Sequence, residues 1–129
     1  MPPATPQPLI VVSNAAVDEH DTGDHPEEQR RTMAAMRGLE VAGLQDVEVR
    51  ESRPATVDEL VAVHSPEYVA SLEEYCMAGG GRLDQDTPIV YGSWRTALHA
   101  AGSGLLALEL LDAGEADTAF VVARPPGHH

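Results

Sequence analysis

Residues 93–123 read SWRTALHAAGSGLLALELLDAGEADTAFVVA, and this stretch decides the fold. Apolar residues recur at helical spacing from Trp94 to Leu108, and Gly114 supplies a C-terminal cap. Residues 119–123 then form a continuous apolar run of strand length. A long helix that leads directly into a buried strand is typical of a crossover connection in a parallel sheet. The stretch therefore predicts an α/β fold.

The residues before this stretch predict further alternation of strands and helices. Residues 9–13 (LIVVS) are a short β-branched run, which indicates a buried parallel strand. Residues 25–43 predict a helix, because proline and acids occupy its first turn and glycine ends it. Residues 47–50 alternate apolar and charged side chains, which predicts a half-exposed strand near a sheet edge. Thr56 and Glu59 form a capping box that starts a short helix.

Another helix is predicted from Ser65-Pro66 to the glycine run at residues 79–81. One face of it carries Tyr68, Leu72, Tyr75 and Cys76. Cys76 is the single cysteine of the chain, so no internal disulfide is possible, and this position predicts a buried thiol. A lone buried cysteine favours a reducing compartment, and we expect a cytoplasmic protein.

Length and composition predict one small domain. The chain has 129 residues, of which 43% are hydrophobic and 22% charged. Residues 1–8 contain four prolines and no apolar periodicity, which predicts a disordered leader rather than a targeting signal. Residues 9–129 form the domain. No apolar run approaches the roughly 20 residues of a membrane span, so no membrane association is expected.

The charge balance excludes one class of partner. The formal net charge is -13, from 21 acids against 8 arginines and no lysine. Binding to nucleic acid requires clustered basic residues that neutralise phosphates, so no direct nucleic-acid partner is expected. The acidity favours a cationic substrate or partner, but it is equally explained as ordinary solubilising surface.

The last six residues, Arg124 to His129, carry the most specific chemistry. Two prolines stiffen the exit from the predicted strand, and a glycine permits close backbone approach before two adjacent histidines. Adjacent histidines in an extended segment point to opposite sides, so they chelate one metal ion poorly. An imidazole titrates near neutrality and suits proton transfer. The pattern therefore indicates acid-base chemistry; the alternative is a chance turn or the remnant of a purification tag.

The order of motifs along residues 9–129 resembles the N-terminal third of enzymes of the histone deacetylase superfamily, in their class II and bacterial branch. The blocks that carry the resemblance are His20, His25-Pro26-Glu27 with Arg30, Arg53-Pro54-Ala55-Thr56 with Glu59-Leu60, Val63-His64-Ser65 with Tyr68-Val69, residues 79–87 (GGGRLDQDT), Gly92-Ser93-Trp94, Ala100-Ala101-Gly102, and Arg124-Pro125-Pro126-Gly127-His128-His129. The resemblance implies the N-terminal portion of an arginase-like three-layer α/β/α sandwich with a mostly parallel sheet, here truncated.

The resemblance also implies roles for individual residues. His129 matches the general base beside a zinc-bound water, and His128 matches the neighbour that tunes the site. Asp86 matches the loop aspartate that receives backbone amides of the substrate; the alternative is an ordinary turn residue before proline. Arg30 matches an arginine of the inner channel; the alternative is a solvated arginine on an acidic helix. His20 and His25 are interpreted as loop residues, and His64 and His99 as structural or exposed.

The implied activity is zinc-dependent hydrolysis of the acetyl amide of acetyl-lysine or a related acetylated amine, such as an acetylpolyamine. The family holds its zinc with an Asp-x-His pair and a second aspartate downstream of the paired histidines, and the chain contains no such downstream ligands. A non-catalytic fragment or interaction module is therefore a rival hypothesis, and its uncovered strand edge favours association with a second copy. An arginase-like manganese hydrolase is a third alternative, against which the Arg124 to His129 motif argues.

Overall fold

The computed structural model describes Met1 and residues 5–127, and the predicted alternation of strands and helices is present there. The strands are Leu9–Ser13 (β1), Val47–Glu51 (β2), Gly81–Arg82 (β3), Pro88–Ile89 (β4) and Thr118–Val122 (β5). The helices are Arg30–Ala42 (α1), Val57–Val61 (α2), Pro66–Met77 (α3) and Ser93–Asp112 (α4). No helix within these ranges combines the length and the hydropathy that a membrane span requires.

The main sheet has three strands in the order β2-β1-β5, and both pairings are parallel. Leu9 at the start of β1 is level with Val47 on one side and Thr118 on the other. The first connection carries α1, and the crossover to the opposite edge carries α4. Right-handed connections place these two helices on opposite faces of the sheet. The parallel sheet with helices on both faces confirms the predicted α/β class.

The core forms where α4 packs on β1. Ile10 and Val12 point to this face and pack with Ala107 and Leu110 of the helix. Val11 points to the opposite face, toward the side of α1, because side chains alternate along a strand. All three β1 side chains are 0% exposed. Burial on both faces explains why this strand is continuously apolar rather than alternating.

A second apolar cluster joins α3 to the start of α4. Its buried members are Val69, Cys76 and Trp94. Cys76 is 1% exposed, as the sequence predicted. Burial raises the pKa of the Cys76 thiol, which keeps it protonated and poorly nucleophilic. The cysteine therefore has a packing role.

The start of α1 differs from the prediction, since the helix begins at Arg30 and not at His25. The preceding segment makes other hydrogen bonds. The backbone N–H of Glu27 donates to Nδ1 of His25, and the hydroxyl of Thr22 donates to the carbonyl of Glu27. The Glu27 carboxylate pairs with Arg124 across the sheet edge. These two local hydrogen bonds and the ion pair with the remote Arg124 hold the segment as a loop despite its helical composition.

The close contact between α4 and the segment after β2 gives a stability prediction. A Cβ added at Gly102 would collide with the carbonyl oxygen of Arg53, whereas a Cβ at Gly104 would meet nothing within 4 Å. We expect Gly102→Ala to lower the free energy of unfolding by about 1–3 kcal/mol, because the helix must move away. Gly104→Ala should raise it by up to about 1 kcal/mol, since alanine favours a helix. Urea unfolding of both variants checks this, and equal changes would contradict the close packing.

Candidate functional site

The carboxyl ends of β1, β2 and β5 lie at one edge of the parallel sheet. Asn14, Ser52 and Arg124 follow these three strands closely. In open parallel α/β sheets this edge carries the functional loops. The candidate site is therefore built from the loops that leave this edge.

Arg124 is buried at this edge, with only 2% of its surface exposed, and its guanidinium makes several hydrogen bonds. Its Nε and Nη2 donate to the two carboxylate oxygens of Glu27 at 2.9 and 3.0 Å. Its Nη1 donates to the backbone carbonyls of Val17 and His20. A bidentate pair of this kind fixes both orientation and distance. Arg124 thus fastens the loop after β1 to the exit of β5.

The side chain of Asn14 binds the backbone of Arg124. Its Nδ2 donates to the carbonyl oxygen of Arg124 at 2.6 Å and to that of Thr96 at 3.1 Å. Its Oδ1 accepts the backbone N–H of Ala16 at 2.8 Å. Side chain and backbone of Arg124 are therefore both constrained, and the segment that follows leaves the sheet in a defined direction.

That segment leads through residues 125–127 to the paired histidines. Residues 125–127 line one end of an apolar cavity of about 480 Å³ whose walls include Tyr68, Trp94 and Leu98. His128 and His129, the predicted catalytic pair, lie outside the described residues. Their roles stay predictions.

His20 lies in the loop after β1, where Arg124 binds its carbonyl, and it is only 6% exposed. The hydroxyl of Ser93 lies 2.6 Å from His20 Nδ1 and also accepts the backbone N–H of Val90. The hydroxyl proton is thus free to be donated to the ring. Burial, and then the nearby Arg124, lower the pKa of His20. The side chain is therefore neutral near pH 7.

Ser93, His20 and Glu27 together have the composition of a hydrolase triad, with Nε2 of His20 3.7 Å from a Glu27 oxygen. Ser93 is only 4% exposed, and its hydroxyl is engaged by the histidine ring. A nucleophile must reach its substrate, so this arrangement is structural.

His99 on α4 forms a second serine-histidine pair, which the sequence did not indicate. Ser52 Oγ lies 2.8 Å from His99 Nδ1 and accepts the backbone N–H of Ala15 at 2.9 Å. Burial, and then the charge of Arg95, lower the pKa of His99. The pair ties the ends of β1 and β2 to the helix, which supports the structural interpretation of His99.

The two buried histidines predict how stability depends on pH. The folded pKa values of His20 and His99 lie below the unfolded value of about 6.5, so the unfolded chain binds more protons as pH falls. Stability is complete above this pH and is lost below it, by at most about 2.7 kcal/mol per pH unit for two protons. Urea unfolding at pH 7.5 and 5.5 measures the loss, and His99→Gln should roughly halve it. An unchanged free energy of unfolding would contradict the prediction.

Asp86 lies in the loop between β3 and β4, with its side chain 85% exposed. Its backbone N–H donates to Oδ1 of Asp84 at 2.8 Å, which forms a turn of the kind that the alternative interpretation expected. Its own Oδ1 lies 3.0 Å from Nε2 of His25, in the loop before α1. The structure thus brings together a predicted substrate-binding residue and a histidine that was predicted only to be a loop residue.

Arg30 lies on the surface, where it lines a cavity of about 120 Å³ together with His20 and Glu28. Its side chain is 76% exposed and donates to both carboxylate oxygens of Glu28. The next residue, Arg31, lines a cavity of about 290 Å³ together with Phe120 and Pro126. The exposed position of Arg30 fits the solvated-arginine alternative, and its channel role stays a prediction.

The described residues offer no metal site. No group of three or more His, Cys, Asp or Glu side chains within residues 5–127 is placed to hold a metal ion. The zinc that the resemblance implies therefore has no ligand set in this part of the chain.

Sequence reasoning missed the partners of the buried charges. Arg124 stands between an apolar strand and two prolines, and a buried arginine requires an acid. That signal was readable, but the chain has 21 acids, and nothing in its order singled out Glu27. The partner became evident only from the folded structure.

Comparison with known proteins agrees with this geometry. The family model of the histone deacetylase domain matches residues 25–129. A histone deacetylase-like amidohydrolase of Pseudomonas aeruginosa is 40% identical over 107 residues, which cover 82% of this chain and 27% of the relative. The polyamine deacetylase HDAC10 of Homo sapiens is 34% identical over 110 residues, covering 80% of this chain and 16% of that protein. The crystal structure of the HDA15 HD domain superposes with a TM-score of 0.82 at 26% identity, covering 95% of this chain and 37% of that one.

The protein has an α/β fold whose parallel sheet is arranged as in the HDA15 HD domain. The candidate site lies in the loops at the carboxyl ends of its strands. The chain belongs to the histone deacetylase domain family. It spans about a quarter of the length of the Pseudomonas relative.

Proposed function

We propose that the protein is a deacetylase that hydrolyses the acetyl amide of acetyl-lysine or a related acetylated amine. The observation that carries the proposal is the double anchoring of Arg124, which directs the segment before His128 and His129 from the carboxyl edge of the sheet. The match of the histone deacetylase domain to residues 25–129 supports the same activity.

In this proposal the paired histidines move protons. His129 accepts a proton from the attacking water and returns it to the leaving amine, which an imidazole with a pKa near neutrality does well. His128 stabilises the charge that develops on the reacting carbonyl. Asp86, exposed on its loop, receives backbone amides of a peptide substrate and holds them against the site.

Zinc dependence is part of the family expectation, in which a bound metal ion polarises the carbonyl and activates water. The described residues do not fit a zinc site. In this proposal, residues 5–127 support the segment that transfers protons and also bind the substrate. None of the steps assigned to these residues uses a metal ion.

Two substrate classes remain candidates. The name of the human relative, polyamine deacetylase HDAC10, favours an acetylpolyamine as the second candidate. The net charge of -13 suits an acetylpolyamine, which keeps a cationic amine, and is compatible with a basic peptide that carries the neutral acetyl-lysine.

The test is to express the complete gene product, measure its metal content, and follow hydrolysis of an acetyl-lysine peptide and an acetylpolyamine in parallel. Turnover of either substrate with acetate release supports the proposal, and the faster one defines the class. If the folded protein, supplied with zinc, turns over neither substrate, the deacetylase proposal is wrong. The non-catalytic interaction module is then the correct interpretation.

A further inference from the structure

We propose that His25 is a positioning residue for Asp86, and that it sets how tightly the protein binds its substrate. The inference rests on the proposed function, in which Asp86 receives substrate amides. It adds a second residue, from a distant loop, to the substrate-binding rim.

The hydrogen bonds of His25 define its tautomer. The backbone N–H of Glu27 donates to Nδ1 at 3.0 Å, so this ring nitrogen is an acceptor. The neutral ring therefore carries its proton on Nε2. Nε2 lies 3.0 Å from Oδ1 of Asp86, so the ring donates to the carboxylate.

The surroundings hold the donor in place. The His25 side chain is only 18% exposed, although its partner is 85% exposed. Glu27, which caps the ring, is itself fixed by the buried Arg124. A rigid chain of contacts thus runs from the exit of β5 to the exposed carboxylate.

This geometry gives the two carboxylate oxygens of Asp86 different roles. Oδ1 is engaged by His25, and among the described residues Oδ2 makes no hydrogen bond. The backbone N–H of Asp86 is bonded to Asp84, which fixes the main chain of the same turn. A carboxylate held at one oxygen presents the other in a fixed direction, so less conformational entropy is lost when a substrate amide binds.

The test compares variants of the complete gene product with an acetyl-lysine peptide as substrate, because only a peptide has the backbone amides that Asp86 is proposed to bind. His25→Phe keeps an aromatic ring but removes both the Nε2 donor to Asp86 and the Nδ1 acceptor of the Glu27 N–H. We expect KM to rise about tenfold with kcat within about twofold. His25→Gln can place an N–H near the Nε2 position and should recover most of the loss. Glu73→Gln is the control, because Glu73 is an exposed residue of α3 outside this contact, and KM should stay unchanged.

Two further measurements separate the possible failures. In the folded protein, ¹⁵N NMR of the His25 ring should report the Nε2–H tautomer, independently of turnover. Asp86→Asn should raise KM, and adding His25→Phe to it should raise KM little more, since the two residues act together. If Asp86→Asn raises KM and His25→Phe does not, or if the effects simply add, the positioning role is wrong while the proposed function stands. If the wild-type protein turns over neither substrate, the proposed function fails and the inference fails with it.

Discussion

Arg124→Met should lower the free energy of unfolding by about 3–5 kcal/mol, because it leaves the Glu27 carboxylate as an uncompensated charge in a largely buried site. The backbone carbonyls of Val17 and His20 lose their donor as well. A domain of this size is stabilised by about 5–15 kcal/mol, so the loss is a large fraction of the total. Chemical unfolding monitored by circular dichroism measures it.

Matched variants make this result interpretable. Arg37→Met breaks an exposed pair with Glu40, whose side chains are 73% and 68% exposed, and should cost no more than about 1 kcal/mol. Arg124→Lys keeps the charge without the planar fork and should give an intermediate loss that is measurable even if the methionine variant does not fold. Equal losses for the buried and exposed pairs would contradict the anchoring role.

His129→Ala should reduce kcat by about 10²–10⁴-fold, since it removes the proposed general base. KM should change little, because the substrate contacts proposed here lie on the Asp86 loop. Steady-state kinetics on whichever acetylated amine is turned over provides the measurement, with metal content compared in the same preparations. Glu73→Ala, at an exposed position of α3, is the control and should keep full activity.

The kinetics of this variant also distinguish the two histidines. If His128 stabilises charge and His129 transfers the proton, only His129→Ala should remove the acidic limb of the pH–kcat profile. A His129→Ala protein that retains kcat within about threefold, with normal metal content, would show that another group is the base.

Local signals were sufficient to predict most of the secondary structure. The β-branched run at residues 9–13, the capping box of Thr56 and Glu59, and the apolar stripe of α4 each correspond to an element of the structure. In these segments, propensity, periodicity and caps all favour the same conformation as the final packing. The predicted start of α1 was wrong because residues 25–29 make local side-chain hydrogen bonds and an ion pair with the remote Arg124 in place of a helical turn.

The candidate site was predictable only in part for the same reason. The motif from Arg124 to His129 is contiguous, so it could be recognised without a structure. The pairs His20 with Ser93 and His25 with Asp86 join segments more than sixty positions apart. Such contacts depend on how loops are folded over the sheet edge, which periodicity does not encode.

The position of β1 in the middle of the sheet bears on how the polypeptide is made. This strand leaves the ribosome long before its β5 partner, Thr118–Val122, because nearly all of the described chain lies between the two strands. Pairing over such separations is slow, because a large loop must close before the contacts form. During synthesis, the edge of β1 that pairs with β5 therefore stays unpaired until β5 has been made. We expect chaperones that bind extended segments to prevent aggregation mainly in this interval.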